Sequence, residues 1–156
     1  MPNSDISVLE FIEEYEPIGT IKIKAKGDSE PKDYAVMSPD NLAEENYIRY
    51  FHARAASIDI VRKYSVKKTL DDGSEISVAP TNPSDILRME AELHPPAKDM
   101  VAALLELRPS QLKLRPKTLI KVYNAIESML KESGANEPDE EPVNEKPNEK
   151  QSEKKD

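Results

Sequence analysis

The sequence predicts a mostly α (α+β) fold: a helical domain of about five helices with one or two small β-hairpins and a disordered C-terminal tail. Three observations carry that expectation. Apolar residues recur at helical spacing in several stretches that open on a capping residue or a proline. Two short stretches alternate instead, each next to a glycine turn. The last 22 of the 156 residues, 135–156, hold eight acids, four bases and one aliphatic residue larger than alanine, Val143. Such a segment has too little apolar surface to offset the entropy of ordering. The organisation expected is one helix-rich domain, 1–134, followed by a charged tail, 135–156.

Residues 5–15 read as a first helix, capped by Ser4 or Asp5, with Val8, Leu9, Phe11, Ile12 and Tyr15 as an apolar stripe and Pro17 as its stop. In 20–26, Ile21, Ile23 and Ala25 alternate with Lys22, Lys24 and Lys26, and 33–37 is the expected return strand after the Gly27-Asp28 turn. Ser38-Pro39-Asp40 is a helix start, with a capping hydroxyl, proline at the first position and then an acid. That helix is expected to run to Tyr64 as the spine of the domain. Leu42, Ile48, Phe51, Ala55, Ile58 and Val61 lie near one face, with Tyr47 and Tyr50 beside it.

Residues 66–78 form a second expected hairpin, because Asp72-Gly73 suits a turn in which both central residues take positive φ. Asn82-Pro83 starts a helix through Leu93, and His94-Pro95-Pro96 is expected to break it. A further helix, 96–107, buries Met100, Val101, Leu104 and Leu105. The last starts at Arg115-Pro116, carries Leu119, Ile120, Tyr123, Ile126, Met129 and Leu130, and stops at Ser133-Gly134. Leu-Arg-Pro-x-x-Leu occurs twice, at Leu107 and Leu114. The repeat reads either as two successive helix starts or as a docking element displaying two arginines.

Composition excludes several classes of chemistry. There is no cysteine, hence no disulfide framework, thiolate nucleophile or cysteine-based zinc site. No stretch approaches a membrane span, and the N-terminus lacks a signal-peptide pattern, so a cytoplasmic protein is expected. The two histidines, His52 and His94, are 42 residues apart and belong to no ligand pair. Glu44-Glu45 diverge on a helix and complement its dipole. Asp71-Asp72-Gly73 lacks the alternating acids of a calcium loop. No glycine-rich phosphate loop occurs. The expectation is a non-enzyme with no cofactor.

Charge is unevenly spread. Of the net −8, half lies in the tail. Residues 1–16 carry five acids and no base, and 107–121 carry five bases and no acid: Arg108, Lys113, Arg115, Lys117 and Lys121. These five are the candidate partner-binding residues. Opposite blocks pair electrostatically, so the acidic N-terminal helix is expected to dock on the basic segment of the same or a neighbouring chain, and self-association is possible. Overall acidity and the absence of interleaved aromatics argue against nucleic acid. The alternative kept open is a regulator that contacts nucleic acid, or a nucleic-acid enzyme, through 107–121.

In its order of parts the chain resembles the tail assembly chaperones of long-tailed bacteriophages. A short strand pair (20–26, 33–37) precedes a long helix (39–64), and a terminal amphipathic helix with Leu119, Tyr123 and Ile126 precedes a charged low-complexity extension. The resemblance implies a non-catalytic assembly chaperone or adaptor in the host cytoplasm. It would bind an aggregation-prone tape-measure protein through the apolar faces of its helices. Many members of that family are extended by a programmed frameshift at an A-rich site. Lys154-Lys155 is compatible with such a site, although chance in a lysine-rich tail is the stronger explanation.

Overall fold

A computed structural model describes residues 8–11 and 16–134. The chain order is β1 (Gly19–Ile23), β2 (Lys32–Val36), a 3-10 turn (Pro39–Asn41), α1 (Glu44–Tyr64), β3 (Val66–Thr69), β4 (Glu75–Val78), α2 (Pro83–Leu104), a second 3-10 turn (Pro109–Gln111) and α3 (Pro116–Ser133). The fold is mostly α plus β, but the described residues hold three helices where about five were expected. The two hairpins form separate two-stranded antiparallel sheets. The expected helix 5–15 lies largely outside the described residues; 8–11 are not helical, and Val8, Leu9 and Phe11 are exposed. The expected tail, 135–156, also lies outside them.

The first hairpin follows its alternation. Ile21 and Ile23 turn inward, Lys22 turns outward, and its Nζ meets Asp33 Oδ1 across the strands at 2.9 Å. The next residues are pinned: Val36 to Pro39 are buried, and Met37 N–H donates to the Leu104 carbonyl at 2.9 Å. Ser38 Oγ accepts from Asp40 N–H at 3.3 Å, as its capping role requires. It caps only a 3-10 turn, however. Leu42 and Ala43 are extended, and α1 begins at Glu44 rather than at 39.

The second hairpin closes differently from the expected two-residue turn. Only Gly73 takes positive φ, at 90°, and Leu70 pairs with Ser74 around a three-residue loop. That is a type I turn finished by a left-handed glycine. Asp72 Oδ1 accepts from both the N–H and the Oγ of Ser74, at 2.9 and 2.6 Å, and these bonds hold its carboxyl below the usual range.

The largest departure is α2. Pro95 and Pro96 do not break it; they sit inside one continuous helix. Proline's fixed φ is compatible with a helix, and the cost is the lost N–H donors facing the Ala91 and Glu92 carbonyls. Burial offsets that cost: Pro96 and every residue from Met100 to Leu105 are buried. This half of α2 is the spine of the molecule, not α1. The helix stops because Glu106 adopts φ 57°, with Glu106 N–H donating to Ala103 and Leu107 N–H to Ala102, a glycine-type C-terminal lock made without glycine.

Around α2 the core gathers Ile23, Val36, Tyr50, Ala53, Leu112, Leu119, Ile126 and Leu130. Both copies of Leu-Arg-Pro-x-x-Leu start a helical turn with proline at the first position. Their last leucines, Leu112 and Leu119, are both buried, so the repeat anchors the turn before α3. α3 ends at Gly134, φ 77°.

Near the far end of α1, Glu92 accepts from Lys63 Nζ at 2.8 Å and from Tyr64 Oη. The Lys63 bond, and then that of Tyr64, hold the Glu92 carboxyl below the ordinary glutamate range. A lowered native value favours the folded state above the free value of about 4.3. That contribution is lost as pH falls through the native value. Between about pH 6 and pH 3, the urea midpoint of the wild type is therefore expected to fall further than that of Glu92→Gln. Parallel falls would remove this cluster from the acid response.

Candidate functional site: an apolar groove and a basic segment

α1 spends little of its apolar surface on the core. Only Tyr50 and Ala53 are buried, whereas Ile58 and Val61 are 48 and 45 % exposed and Tyr47 and Ile48 are similarly open. The expected inward face of this helix is thus largely turned outward. α1 packs along α2 more extensively than any other element does, yet only this stripe of it is buried.

Beside this face runs a groove of about 480 Å³. α1 supplies Tyr50, Arg54, Ser57, Ile58, Val61, Arg62 and Ser65 along one wall. Met100 of α2 forms the floor, Tyr123 and Glu127 come from α3, and Ser77 of β4 closes one end. Arg54 Nη1 donates to Tyr50 Oη at 3.2 Å. Burial pushes the Tyr50 and Tyr123 phenols above their usual value, so both stay neutral. Phe51 meets Tyr47 in a tilted contact and Tyr50 edge-on, at ring centroid distances of 4.6 and 5.0 Å, which stiffens the start of this wall.

The groove combines apolar side chains with the charged Arg54, Arg62 and Glu127. An amphipathic segment suits such a surface: its apolar side chains would fill the Met100 floor and its polar groups would meet Arg54, Arg62 and Glu127. Neither histidine lines it. His52 is exposed on α1, and His94 is half-buried on α2 with its Nδ1 buried and unpartnered among the described residues. Among the described residues no three His, Asp or Glu side chains gather as a metal site would require, and no helix is long and apolar enough to cross a membrane.

The basic residues predicted from the sequence lie elsewhere. Arg108, Lys113, Arg115, Lys117 and Lys121 are all exposed, from the second 3-10 turn into the first turns of α3. None of them forms an ion pair with a described residue. Lys117 and Lys121 share one face of α3. The first turn of α3 contains no acid, so Arg115 and Lys117 stand at the positive end of the helix dipole, where like charge is unfavourable. The residues expected to dock on this segment, 1–16, lie largely outside the described residues.

Sequence reasoning missed the groove. Its signal was present as an excess: the apolar stripe of α1 is broader than the core can use. Comparison with family models, with curated proteins and with solved structures finds no match to this chain.

Proposed function

We propose that the protein is a non-catalytic assembly chaperone or adaptor that holds an amphipathic segment of another protein in the groove between α1 and α3. The observation that carries this reading is the outward apolar face of α1, with Ile58 and Val61 half-exposed above the Met100 floor. An exposed apolar surface of this kind is a common mark of a protein-binding site. Following the resemblance in the order of parts, the client we favour is a helical structural protein such as a phage tape-measure protein.

The test is affinity capture from the native source with the wild type, with Ile58→Asp/Val61→Asp and with Arg108→Ala/Lys113→Ala/Arg115→Ala/Lys117→Ala. Ile58 and Val61 are half-exposed, so the first variant is expected to keep the wild-type melting temperature. It should lose at least tenfold of one defined protein partner, a change of about 1.4 kcal/mol. Undiminished capture would overturn the groove as the contact.

The unpaired bases at the start of α3 favour a second reading, contact with nucleic acid. It predicts an affinity falling with salt at a slope of about −3.6 for four neutralised phosphates, and loss of binding in the four-base variant alone.

A further inference from the structure

The outward stripe of α1 has the same spacing read in either direction. Glu44, Ile48, Phe51, Ala55, Ile58 and Arg62 follow one another at intervals of 4, 3, 4, 3 and 4 residues. On a helix of 3.6 residues per turn these six fall within about 80° of one another. They lie on the opposite side of α1 from the buried Tyr50 and Ala53. Ile48 and Ile58 are 49 and 48 % exposed, Ala55 is exposed and Phe51 is half-buried. We propose that this stripe is the contact between two copies of the chain, which pair through α1 in antiparallel fashion about a twofold axis at Ala53.

Three observations select a second copy as the partner. The first is register. A twofold axis requires a surface complementary to itself, in which each residue meets a counterpart that meets it in return. With the axis at Ala53, Ile48 meets Ile58 of the second copy, and Phe51 meets Ala55, a large side chain against a small one. Each contact occurs twice.

The second is charge. The stripe begins at Glu44 and ends at Arg62, so antiparallel pairing sets a carboxylate against a guanidinium at both ends. Parallel pairing would oppose Glu44 to Glu44 and Arg62 to Arg62, and would align the two helix dipoles. Arg62 already meets Asp59 of its own helix at 3.7 Å, and both side chains remain largely exposed. A guanidinium has five N–H donors, enough for a second carboxylate.

The third is spacing. Alternation of three and four residues between apolar positions is the seam along which two helices pack as a coiled coil. The packing of α1 on α2 uses the other side of the helix and leaves this seam unfilled. One helix pair of this length is a small interface, under about 1,200 Å² in total, so the dimer is expected to be weak and reversible.

Sedimentation velocity of the full-length protein from about 5 to about 500 μM is expected to show a monomer–dimer equilibrium. Ile48→Asp, and separately Ala55→Glu, are expected to raise its dissociation constant at least tenfold. Ala55 is exposed and glutamate is a good helix former, so the second variant keeps the wild-type melting temperature. A wild type that stays monomeric at the highest concentration, or dimers undiminished in either variant, would overturn the pairing. The chain has no cysteine, so His52→Cys and Glu45→Cys each accept one nitroxide per chain. In the antiparallel pair the two labels are offset along the helix axis by about 3 Å at 52 and about 24 Å at 45. Double electron–electron resonance is therefore expected to give the longer distance at 45. Equal distances at the two sites mean a parallel pair and overturn the proposal. Ile48 and Ala55 lie outside the groove lining, which keeps this result separate from partner capture. A monomeric protein leaves the groove reading standing, and undiminished capture in Ile58→Asp/Val61→Asp leaves the dimer standing.

Discussion

Leu130→Ala is expected to lower the unfolding free energy by about 3 kcal/mol, while Ile120→Ala, on the same helix, costs less than about 1 kcal/mol. Leu130 has no accessible surface and belongs to the core around α2, whereas Ile120 is 48 % exposed. Both residues were assigned to one apolar stripe by sequence spacing, and burial separates them. Deleting the buried side chain removes its transfer free energy and leaves a cavity that its neighbours fill only partly. Urea denaturation of the two variants reads the difference directly. Equal losses would mean that α3 does not seat on α2 through Leu130.

Arg49→Ala is expected to cost about 2 kcal/mol, the scale of charge-assisted hydrogen bonds with a carbonyl left unpaired. Arg49 reaches from α1 to the turn after α2. One nitrogen, Nη2, donates to the Leu107 carbonyl at 2.7 Å and to Asn46 Oδ1 at 2.6 Å. Its Nε is buried without a partner, so part of the gain is already offset by desolvation. Arg49→Lys is expected to recover only part of the loss, because the lysine side chain is one atom shorter and its ammonium is more strongly hydrated. Full recovery by lysine would show that charge alone secures the turn.

Much of the architecture was readable because local rules agreed with the tertiary outcome. The alternation at Ile21, Lys22 and Ile23 appears as in-and-out burial, and Gly134 ends α3 in the left-handed region. The misreadings share a cause: a local signal was outweighed by packing. His94-Pro95-Pro96 carries every mark of a break, yet the apolar run behind it is buried well enough to keep the helix whole. Ser38-Pro39 caps a turn that does not propagate, because the chain returns to extended backbone at Leu42 and Ala43. α2 is closed, two residues past Leu104, by a left-handed Glu106, a residue with no propensity to signal it. The basic segment was found from charge alone, since unpaired bases need no fold to be recognised. The groove could not be, because it exists only where the surplus face of α1 meets Met100, Tyr123 and Glu127, residues 42 to 69 positions away from Ile58.

The proline pair in α2 also divides the molecule by cooperativity. A helix transmits order through its chain of amide bonds, and here two successive donors are missing between a well-buried half and a more open one. Leu87 on the open half is 67 % exposed, and every residue of β3 and most of β4 beside it are exposed as well. Opening of the Pro83–Leu93 turns together with the second hairpin therefore costs little of the core centred on Met100 to Leu105. The half of α2 before the prolines and the second hairpin are therefore expected to be the weaker unit, opening at lower free energy than the buried half. The weaker unit includes Ser77, at the end of the groove, so the groove can widen at that end without unfolding the domain that holds its floor.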